Sequence, residues 1–202
     1  MDVYRYDRKT GDFKLYKKTD DDFDQIGKFK YDRKTKEYKP RLNKDGSIKT
    51  FSDHRGNNNK IAKGILRDGL NIKQRGCRFL LDDKKGPSLN DFYNFSLIFD
   101  EVAGVEISGY VFENPRLEEG QRYLNFLPYK DNSFYITNMS TSYDFGKENP
   151  IIHFHTHGHA DCIEETKASA LDKAFMKSMA PRYPGLQFLI LHNYGTPIIY
   201  NK

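Results

Sequence analysis

The sequence predicts an α/β (α+β) fold, a sandwich of helices on a mixed sheet, preceded by a β-hairpin extension. Over residues 88–202, two amphipathic helical segments alternate with segments that have the length and alternation of strands. Over residues 1–50, a hairpin pattern occurs twice. Polar, turn-rich stretches separate the two regions. We therefore expect a hairpin repeat or adaptor (1–50), a linker with a short helix (51–87) and a main domain (88–202).

The N-terminal hairpin pattern repeats with a period of 25 residues, which aligns Tyr6 with Tyr31. Each copy has an aromatic–polar alternation, an Asp-Arg-Lys-Thr turn and a second alternating segment. Two copies are too few for an independent solenoid. This region is therefore either a stalk at the end of a longer repeat array or an extension of the main domain.

The central region is predicted to be a linker that contains one short helix. Residues 52–59 are polar and rich in turn formers, and residues 60–68 carry apolar side chains at helical spacing before Gly69. A short helix is therefore predicted over 60–68. Residues 82–87 form a second polar linker.

The main domain opens with a clear helix signal, because Ser88 stands three residues before Asp91 in the pattern of a capping box. This helix is predicted to end at Gly104, and a second helix is expected over 165–179. The expected strands are 105–112, 123–127, 133–137, 150–154, 186–191 and 198–200, the last two forming a hairpin.

Composition restricts the classes of function. The chain has no run of about 20 apolar residues that could cross a membrane, and its first residues lack the apolar core of a secretion signal. Cys77 and Cys162 are too few for a disulfide framework, which favours free thiols. Residues 1–75 hold 21 Lys and Arg against 12 Asp and Glu, whereas residues 76–202 hold 12 against 16. The basic half could attract an acidic partner, but the chain lacks a nucleic-acid recognition motif.

The most specific chemical signal lies between residues 151 and 172. Side chains two apart on a strand share one side of it, so His155 and His157 can converge on one point. On a helix, Ser169 and Asp172 would share a face. Two imidazoles and one carboxylate, with the fourth position left to water, are typical of a catalytic zinc site.

With these elements in order, residues 88–202 resemble the JAB/MPN (JAMM) metallopeptidase family. The family signature is a Glu on the strand after the first helix, then His-x-His, then Ser-x-x-Asp. The resemblance implies a three-layer-like sandwich, a Zn²⁺ ion held by His155, His157 and Asp172, and peptidase or isopeptidase activity. Matching residues 106–111 to the family's Glu-x-x-Gly-apolar-apolar pattern makes Glu106 the catalytic glutamate.

The resemblance also assigns roles. Zinc lowers the pKa of its bound water towards ~7. Glu106 would accept the proton from that water and deliver it to the leaving amine. Ser169 would donate a hydrogen bond to the developing oxyanion. Glu101 begins a second Glu-x-x-Gly match, and we prefer Glu106 because a strand would place it beside the histidines whereas Glu101 looks helical.

Three further potential ligands, His153, His159 and Cys162, lie close to the motif in the sequence. His153 could hydrogen-bond to a metal ligand or belong to the core. His159 and Cys162 lie in a loop, residues 158–168, that is longer than the family's usual spacing; they could cap the metal as inhibitory ligands or be solvated. Gly158 stands where the family often has Pro, and Glu113 where it usually has a second Gly. These departures concern the loop geometry and the substrate class.

The repeat followed by this motif also resembles the JAB-like toxin domains at the ends of bacterial polymorphic toxins. This implies synthesis in the bacterial cytoplasm without a signal peptide, delivery to a target cell by a specialised secretion system, a protein or peptide substrate, and a cognate immunity protein as partner. Two alternatives remain open. One is a catalytically inactive MPN-like interaction module, and the other is a basic nucleic-acid-associated protein.

Overall fold

The computed structural model of the chain describes residues 2–81, 86–113, 121–129, 145, 148–160 and 162–200, and the statements below concern these residues. The strands are β1 (Asp2–Tyr6), β2 (Phe13–Lys17), β3 (Phe23–Gly27), β4 (Phe29–Asp32), β5 (Glu37–Pro40), β6 (Ile61–Ala62), β7 (Cys77–Leu81), β8 (Ser108–Glu113), β9 (Arg122–Phe126), β10 (Asn149–Thr156), β11 (Gln187–Leu191) and β12 (Ile198–Ile199). The helices are α1 (Ile72–Arg75), α2 (Leu89–Ala103) and α3 (Ala170–Met179), with a 3₁₀ turn at Ile163–Thr166. The predicted mixed class of helices and strands is confirmed. Within the described ranges, none of the helices combines the length and apolarity that crossing a membrane requires.

The main sheet has six strands in the order β12-β11-β10-β8-β9-β7. Strands β10 and β11 run parallel, and every other neighbouring pair is antiparallel. The predicted mixed sheet and the closing hairpin of β11 and β12 are therefore confirmed. The strand predicted over 133–137 lies outside the described residues.

Helices cover both faces of this sheet. Successive strand residues point to opposite sides, so neighbouring residues of one strand show what packs on each face. Val111 of β8 packs in the cluster that contains the buried face of α2, whereas its neighbours Tyr110 and Phe112 pack with Phe175 of α3. All three β8 side chains are at most 2% exposed. The main domain thus has three layers, with α3, the sheet and α2 in that order.

The N-terminal region packs against α2. Its four-stranded sheet has the order β2-β1-β3-β6, and β4 and β5 form a separate hairpin. Phe13 is fully buried, and its ring centroid lies 5.4 Å from that of Phe99 on α2. The first hairpin therefore shares a core with the main domain.

Both predicted hairpins are confirmed, and their turns repeat in atomic detail. The backbone N–H of Lys9 donates to Asp7 Oδ1 at 3.0 Å, and that of Lys34 donates to Asp32 Oδ1 at 2.9 Å. An Asp at this position stabilises the turn through its own side chain.

The helix predicted over 60–68 is wrong. Ile61 pairs with Asp24 of β3 in the N-terminal sheet, and Gly64 has φ of 90°, in the left-handed region. The apolar spacing reflected core burial, since Ile65 and Leu66 are at most 3% exposed. The predicted linker region also supplies α1 and β7, and β7 belongs to the main sheet.

Helix boundaries in the main domain follow local capping. Helix α2 has the predicted capping box at Ser88 and ends at Gly104, whose φ is 72°. The second helix starts at Ala170 rather than at 165, since a 3₁₀ turn occupies part of the predicted span. Strand β8 starts at Ser108, so Glu106 precedes the strand instead of lying within it.

Candidate metal centre

Three predicted ligands converge where β10 ends and α3 begins. The Nε2 atoms of His155 and His157 lie 3.2 Å apart, and His155 Nε2 lies 3.3 Å from Asp172 Oδ1. His157 Nε2 lies 3.7 Å from Asp172 Oδ2. We call these three residues the inner cluster. Their side chains are 0%, 11% and 8% exposed respectively.

The donor set and spacing of the inner cluster fit Zn²⁺. Two nitrogens that share a tetrahedral zinc ion stand about 3.3 Å apart, because each Zn–N bond is about 2.0–2.1 Å long. Zinc takes His nitrogen and Asp oxygen, and three protein ligands leave one position open for water or substrate. The two ring nitrogens therefore already have the separation that a shared ion requires, and one ligand atom from each of the three residues lies within 4.8 Å of the others.

The second ring nitrogen of His157 fixes its tautomer. Nδ1 lies 3.0 Å from the carbonyl oxygen of Glu165, which can only accept, so Nδ1–H is the donor. The Nε2 lone pair then faces the inner cluster, as in a metal-ligating imidazole whose other nitrogen is held by a carbonyl. Burial lowers the pKa of His157, assisted by the neighbouring His155, so the ring is neutral near pH 7.

Asp172 supplies the anionic side of the cluster. Burial opposes its ionisation, yet contacts with His155 and Ser169 hold the pKa of Asp172 well below its usual value. The backbone N–H of Ser169 donates to Asp172 Oδ2 at 2.7 Å. This carboxylate is therefore charged and fixed in orientation at any pH near neutral.

The Ser-x-x-Asp pattern has a structural role in addition to any chemical one. Ser169 is the N-cap of α3, and the Asp172 N–H donates to Ser169 Oγ at 3.2 Å. Ser88 and Asp91 form the same capping box at the start of α2. The pattern alone thus marks a helix start, and only the copy at α3 lies against two imidazoles.

Glu106 stands at the rim of the inner cluster. Its Oε1 lies 3.8 Å from His157 Nε2, and its side chain is 25% exposed. Burial, with repulsion from the carboxylates of Asp100 and Asp172, raises the pKa of Glu106 to about 8. A carboxyl with a pKa near the working pH can both accept and donate a proton.

Three residues that the sequence did not predict for the site position Glu106. The Thr156 backbone N–H donates to the Ile107 carbonyl at 2.9 Å, and the Ile107 N–H donates to Thr156 Oγ1 at 2.8 Å. The Thr156 hydroxyl in turn donates to Asp100 Oδ2. This network ties the segment that carries Glu106 to the end of β10. Thr156 lies between the two predicted histidines, but the sequence offered no signal for Asp100.

Glu101 belongs to a different group. Its Oε2 lies 3.5 Å from His54 Nδ1 and 3.6 Å from His159 Nδ1. One potential ligand atom from each of these three residues lies within 4.8 Å of the others. We call them the outer cluster. The structure thus brings Glu106 to the inner histidines and places Glu101 between His54 and His159.

His159, for which both a metal cap and a solvated loop position were considered, contacts Asp100 and Glu101 instead of the inner cluster. Its Nε2 lies 2.8 Å from Asp100 Oδ1, and this hydrogen bond raises the pKa of His159 to about 8. Gly158 makes this arrangement possible, because a Cβ there would lie 2.8 Å from the Asp100 carboxyl carbon. The close approach accounts for Gly where the resemblance leads one to expect Pro.

The other two accessory residues lie outside both clusters. His153 is fully buried among Tyr110, Phe175 and Phe188, and among the described residues neither ring nitrogen has a hydrogen-bond partner. Burial lowers the pKa of His153 well below its usual value. Cys162 precedes the 3₁₀ turn and is a free thiol. His153 is thus a core residue, the second of the two interpretations considered for it.

Comparisons of this chain with protein-family models, with curated proteins and with solved structures return no match. Functional inference therefore depends on the geometry of the chain itself.

Proposed function

We propose that this protein is a zinc-dependent peptidase or isopeptidase whose active site is the inner cluster with Glu106. One observation carries the proposal. Two imidazole nitrogens and one ionised carboxylate converge at separations of 3.2–3.7 Å, with a second carboxyl group 3.8 Å from one of the nitrogens. A general acid–base beside a three-ligand metal site is one arrangement that can hydrolyse an amide.

The metal ligands and Glu106 would have different roles in hydrolysis. His155, His157 and Asp172 would hold the ion, which when bound polarises a substrate carbonyl and activates water. Glu106 would hold the proton taken up at its carboxylate and pass it to the leaving nitrogen. In the metal-free chain Glu106 keeps a proton at neutral pH, and a nearby dication favours its carboxylate form.

Ser169 would assist through its hydroxyl proton. Its oxygen accepts the Asp172 N–H, and its hydroxyl also hydrogen-bonds to the Asp172 carboxylate, so the O–H would have to turn from Asp172 to donate to a substrate. Ser169 lies at the exposed start of α3, where a substrate carbonyl can approach. Hydrogen-bond donation to a developing oxyanion is worth about 10²–10³ in kcat at comparable sites.

The three-layer arrangement and the order Glu, His-x-His, Ser-x-x-Asp support the further proposal that the domain is of the JAB/MPN type. Its role as a toxin domain, its delivery by a secretion system and an immunity-protein partner stay predictions that rest on resemblance. The amide class of the substrate likewise follows from the resemblance together with the acid–base pair.

The proposal is tested by counting new amines. The purified full chain, loaded with Zn²⁺, is incubated with a bacterial lysate, and newly formed amines are labelled and located by mass spectrometry. New α-amines report peptide cleavage, and new lysine ε-amines report isopeptide cleavage. Glu106→Gln and chelator-treated protein serve as controls. If the wild-type chain generates no more amines than Glu106→Gln, the peptidase proposal fails and an inactive module is favoured.

A further inference from the structure

The outer cluster joins three segments that are far apart in the chain. His54 lies in the stretch after the N-terminal hairpins, Glu101 lies near the end of α2, and His159 lies in the loop after β10. The two imidazole rings meet edge to face with centroids 5.4 Å apart. Both present Nδ1 to the same oxygen, Glu101 Oε2.

The ring of His159 lies between two carboxylates. Its Nε2 lies 2.8 Å from Asp100 Oδ1, and its Nδ1 lies 3.6 Å from Glu101 Oε2. When the ring is neutral with its proton on Nε2, next to Asp100, the lone pair on Nδ1 points into this cluster. An imidazole with one nitrogen on a carboxylate and the other turned to a shared point is the arrangement found at metal ligands. Asp100 is 1% exposed and also accepts from Thr156, so its orientation is fixed.

The distances favour a shared ion over direct hydrogen bonds. The separations of 3.5 and 3.6 Å from Glu101 Oε2 exceed the ~3.2 Å limit for a good N–H···O bond. They are close to the ~3.3 Å expected between two ligand atoms of one tetrahedral zinc ion. The side chains of His54, Glu101 and His159 are 35%, 33% and 37% exposed, so an ion can reach them from solvent.

We propose that the outer cluster is a second divalent-metal site, selective for zinc-like ions, which holds the segment around His54 against α2 and the loop that follows His157. Two imidazoles and one carboxylate suit Zn²⁺ rather than Ca²⁺ or Mg²⁺, which prefer oxygen ligands. The site does not depend on the proposed peptidase activity, because no residue is shared between the two clusters. Metal bound at the outer cluster would restrain the loop after β10, which begins with the inner ligand His157.

Metal stoichiometry tests this inference. The metal-stripped full chain is dialysed against Zn²⁺ at pH 8, and Co²⁺ absorption reports the ligand geometry. We expect two equivalents for the wild type, one for His54→Ala and one for Asp172→Asn. Removal of the His54 imidazole should weaken the outer site by more than the ~10–100-fold cost of losing an outer-shell partner.

Arg55→Ala is the matched control. Arg55 adjoins His54 and lies over the Tyr194 ring at 4.6 Å, so this change loosens the same segment without removing a ligand. It should retain two equivalents. A wild type that binds one equivalent, lost in Asp172→Asn and unchanged in His54→Ala, would overturn the outer site and leave the peptidase proposal intact. If the wild type binds one equivalent that is lost only in His54→Ala, the outer site stands and the peptidase proposal fails.

Limited trypsin digestion gives a second readout, carried out in Asp172→Asn to isolate the outer site. Cleavage after Arg55 should slow on addition of Zn²⁺, because local opening then requires release of the metal. At free zinc 100-fold above Kd, the open population falls about 100-fold. Cleavage after Lys34, in the exposed turn of the β4–β5 hairpin, should not change. Equal cleavage after Arg55 with and without zinc would contradict the proposal.

Discussion

The inner and outer clusters contain the same donors, two imidazoles and one carboxylate, but differ in burial. The inner side chains are at most 11% exposed, whereas the outer ones are about one third exposed. In the inner cluster low local polarity strengthens each charge interaction and shifts the pKa of Glu106 to about 8. The outer side chains are in contact with water, which weakens charge interactions and pKa shifts. Under the two proposals above, the buried copy of this ligand set serves hydrolysis and the exposed copy restrains the chain.

The largest expected effect is the loss of zinc and hydrolysis in Asp172→Asn. The amide cannot supply the negative charge that two neutral imidazoles need to hold a dication. We expect no measurable amine release and the loss of one zinc equivalent, measured by elemental analysis. The outer cluster should retain its zinc, because Asp172 is not one of its ligands.

Asp91→Asn is the control for this change, since Asp91 occupies the equivalent capping position of α2. Both substitutions alter a capping box, at a cost of about 1 kcal/mol in the free energy of unfolding. Only Asp172→Asn should lose zinc. Equal zinc loss in the two variants would mean that helix capping, rather than coordination, explains the result.

Glu106→Gln should lower kcat by about 10²–10⁴, the usual contribution of a general acid–base. The amide keeps the shape of the side chain but cannot take up a proton. Both zinc equivalents should remain, because Glu106 is not among the three converging ligands. The measurement pairs kcat with zinc content. Full activity in Glu106→Gln, with activity lost in Glu101→Gln, would reverse the assignment of the two glutamates.

In the metal-free protein, Glu106 should make stability fall as the pH rises from about 4.5 to 8. In this window the folded chain keeps a proton on Glu106 that the unfolded chain loses. The free energy of unfolding then declines by at most about 1.4 kcal/mol per pH unit. Urea unfolding with chelator present, at pH 5 and pH 7.5, should show Glu106→Gln gaining stability relative to the wild type at the higher pH. A constant difference between the two proteins would show that burial does not raise this pKa.

The smallest effect is expected for Thr156→Val, which breaks the link between the two clusters. Its hydroxyl accepts from the Ile107 N–H and donates to Asp100, and all of these groups are buried. Leaving them unsatisfied should cost about 1–3 kcal/mol in the free energy of unfolding, with activity reduced roughly tenfold through Glu106. Thr156→Ser restores the hydroxyl and should recover both. A Ser variant as impaired as the Val variant would assign the effect to packing.

The inner cluster could be predicted because its ligands lie within residues 155–172. Strand alternation places the two histidines together, and the capping pattern places Asp172 at the start of a helix; the meeting of these two elements was an expectation from the family resemblance. The outer cluster could not, since His54, Glu101 and His159 meet only through the tertiary fold. The same reason explains why Asp100 was missed.

Local patterns predicted local structure well where turn chemistry decides it. The capping box at Ser88 and the aspartate turns of the two hairpins appear as expected. The helix expected over 60–68 failed because burial against the N-terminal sheet, rather than helical propensity, set its apolar spacing. The structure of that segment is set by its pairing with β3, which lies far from it in the sequence.

The most direct test of the central claim is anomalous diffraction at the zinc edge from crystals of the full chain grown with Zn²⁺. We predict a peak bonded to His155 Nε2, His157 Nε2 and a carboxylate oxygen of Asp172 at about 2.0–2.2 Å. A well-ordered structure in which these three groups lie together in excess zinc without such a peak would contradict the account.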